Sequence, residues 1–145
     1  MNDHDPDDKD PALRKTLVFG WYLLAISVPA GMTLEALHAL KVEVYLGSAL
    51  RRELWTLAHA HANLLGLLCL AFASLGERWL QAPSRAAISR WLRCGSALMP
   101  LGFFGGGILN HEGDPSLAIV LVPLGGVCLL VALLRAARGV RRSEA

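Results

Sequence analysis

Charge is scarce in this sequence and missing from long parts of it. Leu54–Leu75, Cys94–Leu109 and Leu117–Leu134 contain no Asp, Glu, Lys or Arg, and Thr16–Leu40 contains only Glu35. With 18% charged and 54% hydrophobic residues over 145 positions, the chain is too apolar for an ordinary soluble domain. It also lacks a basic segment ahead of its first apolar run. Asn2-Asp3-His4-Asp5-Pro6-Asp7-Asp8 is acidic where a cleavable signal would be basic, so the first run is read as retained. Cysteine is sparse and shows no CxxC spacing. Cys69, Cys94 and Cys128 are therefore read as small apolar residues, none of them placed for a disulfide. No internal repeat is present.

What is there is length. About 20 apolar residues, rising about 1.5 Å each, cross a hydrocarbon core of about 30 Å. Thr16–Leu40, Leu54–Leu75 and Leu117–Leu134 meet that requirement directly. Cys94–Leu109 meets it once the amphipathic turn around Trp91 is added. The expected fold class is all-α, a polytopic membrane protein forming an antiparallel four-transmembrane-helix bundle, with helices near 13–40, 53–77, 89–110 and 115–138. Residues 1–12 read as a disordered acidic tail, 13–138 as the transmembrane domain and 139–145 as a basic tail.

The cations set the orientation. On a four-span topology Lys9, Arg14, Lys15, Arg78, Arg85, Arg90, Arg93, Arg135, Arg138, Arg141 and Arg142 share one side, and only Lys41, Arg51 and Arg52 take the other. The positive-inside rule then places both termini in the cytoplasm of a bacterial inner membrane. This distribution accounts for the net charge of +2 without a nucleic-acid partner. Pro29, Pro100 and Pro123 lie inside spans, where neighbouring groups can re-satisfy freed carbonyls. Asp114-Pro115 ahead of Ser116 and Leu117 reads as an N-cap followed by a first-turn proline, which predicts that the last helix starts there after a very short loop. Residues 41–53 read as a longer outer connection along the interface.

The histidines fall in one stratum. Counted along ideal helices from the nearest inner cation, His38 lies about 34 Å up, His59 about 28 Å, His111 about 27 Å, and His61 about 3 Å deeper than His59. Glu35 and Asn63 share or adjoin that layer. Ionisable groups within spans are costly, and a cluster of them points to a site. The plainer reading is that each imidazole near an interface hydrogen-bonds a carbonyl or water.

Glu35-Ala36-Leu37-His38 sets a carboxylate and an imidazole on one helix face, as in carboxylate-bridged metal bundles. His59-Ala60-His61 does the reverse, because two residues at about 100° each turn the rings about 200° apart. One ring can then face the first span, with His38, and the other the third, with His111. Paired imidazoles suit haem, while three imidazoles and a carboxylate suit copper, iron or zinc. Gly102, Gly105, Gly106 and Gly107 allow close helix approach and would equally leave room for a flat macrocycle.

Leu54-Trp55-Thr56-Leu57-Ala58-His59-Ala60-His61-Ala62-Asn63-Leu64-Leu65-Gly66 resembles the His-x-His…Leu-Gly segment of small bacterial membrane proteins related to subunit I of haem-copper oxidases. It is also similar to the His-Ala-His segment of haem- and copper-containing membrane proteins linked to nitric oxide resistance. The resemblance implies a haem or copper role for His59 and His61. A full catalytic subunit I has about a dozen spans and further histidines, so oxygen reduction and proton pumping by this chain alone are not implied.

The sequence thus points to a membrane protein that binds haem or copper, with iron or zinc as further options, through His59, His61, His38 and His111, with Glu35 as an added metal ligand. Its expected partners are the lipid bilayer and a larger membrane complex or a second copy. An accessory subunit without a cofactor, or a component of metal-ion or proton transport, is the alternative. Whether the chain catalyses a reaction is left open at this point.

Overall fold

A helix begins where a side chain replaces the missing backbone partners of its first turn. Here Asp10 does so, its carboxylate accepting from the Ala12 N–H at 2.8 Å with Pro11 in the first helical position. The computed structural model describes residues 10–108, 110 and 113–143. The order is α1 (Pro11–Ala39), α2 (Glu43–Leu46), α3 (Ala49–Trp79), α4 (Ala82–Ile108), a 3-10 turn (Leu117–Val120) and α5 (Leu121–Ser143). There is no strand among the described residues. Three segments, Pro11–Ala39, Ala49–Trp79 and Leu117–Val140, are long and apolar enough to cross a membrane. The fourth long helix, α4, carries Arg85, Arg90 and Arg93 in its first half and is the less apolar for it.

Boundaries depart from the sequence reading in three places. Residues 41–53 are not one connection: α2 occupies part of them, and Ser48 caps α3, its Oγ accepting from the Arg51 N–H at 3.2 Å. Helix α4 begins at Ala82, ahead of its apolar core, because its arginine-bearing turns pack against the α3 and α5 ends through Ile88 and Leu92. The last helix does not start at Pro115. Ser116 instead turns back onto α4, its N–H donating to Gly106 O at 3.0 Å and its Oγ to Gly105 O at 2.8 Å, and α5 proper starts at Leu121.

The four long helices do not close into a ring. Helices α1, α3 and α4 touch one another, α5 packs along α4 with a small contact to α3, and α1 and α5 do not meet among the described residues. Backbones come close where glycines face. A β-carbon on Gly20 would sit 3.0 Å from Gly66 O across the α1–α3 seam, and one on Gly95 would sit 2.8 Å from Gly125 O across the α4–α5 seam. Small residues at such crossings let dispersion contacts form along the backbones themselves. The buried cluster around Cys69, Leu80, Ile88, Leu92 and Ala132 lies where α3, α4 and α5 meet.

Each end is stitched by polar groups. At one end Arg85 Nε donates to Leu80 O at 2.7 Å and its NH1 pairs with Asp10 at 3.4 Å. At the other, the carbonyls of residues 104–107 near the end of α4 are each given a donor. Trp55 Nε1 reaches Phe104 O at 3.1 Å, Ser116 serves Gly105 and Gly106, and Arg51 Nε reaches Gly107 O at 2.8 Å. Arg51 also donates to Val44 O and to Asn110 Oδ1, and Asn110 Nδ2 donates to Ser48 Oγ.

Helix α1 ends in a Schellman turn, with Lys41 N–H to His38 O at 3.1 Å and Val42 N–H to Leu37 O at 3.0 Å. Lys41 occupies the left-handed position at φ 52°, which glycine usually fills. Crowding of a β-carbon there costs about 1–2 kcal/mol, partly offset in a glycine variant by its looser unfolded chain. Lys41→Gly is expected to raise stability by about 0.5–1 kcal/mol in a detergent unfolding titration, whereas Lys41→Ala should not.

Candidate functional site

The His-Ala-His segment lies on α3, which is flanked by α1 on one side and α4 on the other. The half-turn between its histidines separates them as their spacing predicts. His59 turns to α1. Its Nδ1 lies 3.0 Å from Ser27 O, an atom that only accepts, so Nδ1 carries the proton. Ser27 Oγ stands 3.2 Å from the same nitrogen and donates to His59 O at 3.2 Å. The Cε1 edge of the ring rests on the bare Cα of Gly31, where a β-carbon would lie 2.7 Å from Nε2 and 2.9 Å from Nδ1.

Asn63 Nδ2 donates to His59 O at 3.1 Å and lies 3.2 Å from both ring nitrogens. A point equidistant from the two nitrogens is not in line with the in-plane lone pair of either. The amide is therefore a shared, off-axis contact of both ring nitrogens.

His61 turns to α4. Its Nδ1 donates to Leu57 O at 2.8 Å, and its ring packs on Phe103 with centroids 4.8 Å apart and planes inclined 36°. Nε2 has no hydrogen-bond partner among the described residues. Both rings are half-buried. Each ring thus has Nδ1–H anchored on a backbone carbonyl, the arrangement that fixes aim when Nε2 is a ligand.

The other expected ligands do not join them. His38 and Glu35 are exposed, seven and four residues beyond Gly31 on α1, or about 10 and 6 Å further along its axis. The expected approach of both to His59 is corrected by the register of α1 on α3. Leu13 packs at Gly76 and Gly20 at Gly66, which sets Ser27 and Gly31, and not the helix end, opposite His59. His111 lies outside the described residues, as do Glu112 and His4. Among the described residues no three His, Cys, Asp or Glu side chains converge as ligands for one ion.

The α4 glycines are also committed. A β-carbon on Gly102 would meet Val122, on Gly105 Ala118, on Gly106 Ile119, and on Gly107 the Trp55 indole at 2.7 Å. These neighbours fill the space that a macrocycle would need, and the close-approach reading of the glycines is the one realised. The cysteine reading needs correction as well. Cys94 is exposed, and its Sγ lies 3.9 Å from that of Cys128 across the α4–α5 seam, while Cys69 is fully buried and contacts Ser96 Oγ at 3.6 Å. Residue spacing gave no hint of that pair, because it depends on the Gly95–Gly125 crossing.

Sequence reasoning passed over Ser27 and Gly31, which hold His59, and Arg51, Trp55 and Ser116, which close the end of α4. Comparison with protein-family models, with curated proteins and with solved structures finds no match to this chain.

The seating of His59 is testable through the two α1 residues that make it. Ser27→Ala removes one hydroxyl but keeps the carbonyl partner and should cost about 1 kcal/mol. Gly31→Ala forces the ring off its seat and should cost about 1–3 kcal/mol, with the His59 ring resonances shifted in NMR spectra of the histidine-labelled protein. Equal stability of Gly31→Ala and the parent would show that the ring does not rest there.

Proposed function

We propose that this chain is a membrane protein with four crossings and cytoplasmic termini, whose His59 and His61 act as axial imidazole donors to haem. Topology supports the fourth crossing. Helix α3 and α5 both lie antiparallel to α4, so the segment that links the end of one to the start of the other must return across the same thickness. That segment is α4, whose 27 residues rise about 40 Å. Its lower hydropathy fits its position among α1, α3 and α5, where it meets protein more than lipid. The cation bias puts the α3–α4 turn and the termini on the cytoplasmic side of an inner membrane. A Ser84→Cys variant is expected to react with an impermeant maleimide only in inside-out vesicles; labelling from the periplasmic face would reverse the topology.

The observation that carries the haem reading is the pair of anchored Nδ1 atoms, at 3.0 Å on Ser27 O and 2.8 Å on Leu57 O. Each leaves Nε2 as the ring nitrogen not bonded to a backbone carbonyl. A bare copper, iron or zinc ion needs three or four donors from the protein, and each face of α3 offers one imidazole. Haem brings four nitrogens of its own and asks the protein only for axial ligands, which is the chemistry a single fixed imidazole can supply. The resemblance of residues 54–66 implies haem or copper, and the single imidazole on each face favours haem of the two. Since α4's glycines are packed, a macrocycle would have to be taken at the edges of the α1–α3 and α3–α4 seams, where His59 and His61 lie, with a second copy or a partner subunit to cover it.

A second reading has its own support. Every Nδ1 bond described here also clamps a helix, and no set of three ligands converges among the described residues. The chain would then be an accessory membrane subunit without a cofactor. The readings separate on one measurement. Protein expressed with haem and trace metals available and purified in detergent should show a Soret band. His59→Ala and His61→Ala should each lower bound haem about tenfold or more, while His38→Ala leaves it unchanged. No Soret band in the parent, or the same haem content in all variants, would leave the accessory reading standing.

A further inference from the structure

We propose that the end of the chain opposite the histidines binds the phosphate of an anionic phospholipid headgroup, in the cavity between the first turn of α4 and the last turns of α5. The proposal rests on the membrane topology given above and is independent of haem. The cavity measures about 280 Å³ and is lined by Ser84, Arg135, Arg138 and Gly139. Arg135 and Arg138 stand three residues apart on α5, so both guanidiniums project on one side of the helix and can meet one phosphate in the paired geometry that arginine favours. Ser84 adds a hydroxyl. Gly139 has no side chain to fill the floor, and a β-carbon there would run into Leu80.

The electrostatics favour an anion. Asp10 is taken up by Arg85 at 3.4 Å, and its backbone N–H donates to Glu77, so these carboxylates belong to the α1 and α3 side. Among the described residues no carboxylate lines the cavity. The first turn of α4 adds the positive end of its helix dipole.

What selects a lipid over a free anion is the surface next to the cavity. Leu130 and Leu134, on the turns of α5 just before the arginines and within about 80° of Arg138 around the helix, are about half exposed and apolar. A phosphate held by Arg135 and Arg138 leaves its acyl chains to run along those leucines. Basic pockets between membrane helices on the cytoplasmic side are where anionic headgroups bind.

Native mass spectrometry of the full chain in mild detergent, titrated with dioleoylphosphatidylglycerol, tests this. The parent should retain one such lipid, and Arg135→Gln/Arg138→Gln should reduce retention about tenfold. Arg90→Gln, at an exposed position of α4 outside the cavity, should retain it as the parent does. Ser84→Phe, which fills the cavity without removing a charge, should also lower retention, so the conclusion does not depend on the double variant folding. Neither dioleoylphosphatidylcholine nor inorganic phosphate at equal concentration should displace the bound lipid. Displacement by inorganic phosphate would make this a free-anion site and overturn the lipid assignment. Equal retention of phosphatidylcholine, or undiminished retention in Ser84→Phe, would overturn the site itself.

Discussion

The rest of the structure depends on one constraint: a polar group placed between the two ends of these helices has to find its partner inside the protein. The chain obeys it with local bonds. Thr16 Oγ1 donates to Ala12 O at 2.9 Å, His61 Nδ1 to Leu57 O, and Asn63 Nδ2 to His59 O, each reaching back one turn within its own helix. Ser27 and His59 bond across the α1–α3 seam, in the register that Gly20 on Gly66 and Leu13 on Gly76 set. Ser89 Oγ is the buried side-chain oxygen without a partner among the described residues. Polar side chains are tolerated in these helices because backbone carbonyls absorb them. The same bonds fix which nitrogen of each imidazole carries the proton.

The two ends obey a different rule, since there the helix termini themselves need partners. The carbonyls of residues 104–107 are met by Trp55, Ser116 and Arg51, which turns a helix end into a knot joining three elements. Tyr45, Trp55 and Phe104 stack in a row beside it, and the Arg51 guanidinium lies 5.9 Å above the Trp55 ring. Arg51 is therefore a structural cation at this end of the helices. At the opposite end Arg85 serves the chain in the same way, and Arg135 and Arg138 line the cavity between α4 and α5.

How much of this was legible in the sequence follows from which physics wrote it. Helical class and the positions of three apolar helices could be read because they depend on length and hydropathy alone. The start of α4 could not, since hydropathy marks where a helix meets lipid and not where it begins. The divergence of His59 and His61 was legible because it is a property of one helix. The meeting of His38 with His59 was misjudged for the opposite reason. Counting rise from different cations assumes that every helix starts at the same level, whereas the seam is set by Gly20 against Gly66 and Leu13 against Gly76. An error of a few residues in register moves a side chain out of ligand reach. The Cys94–Cys128 pair and the Arg51 knot are invisible to spacing, as both are made by contacts between distant segments.

The open arrangement of the helices bears on what the histidines can do. In a closed four-helix bundle, side chains from facing helices converge on a shared axis and build a chelate there. In this chain α5 attaches to α4 and does not meet α1, so the centre that would hold such a chelate is not formed by four helices. Its donors are instead distributed along seams, one imidazole to each. A seam that presents a single fixed donor suits a group that carries most of its own ligands, and it leaves the remaining coordination to whatever covers that face. Ser27, Gly31 and Leu57 fix the aim of His59 and His61, and each imidazole is left on its own seam, apart from the other.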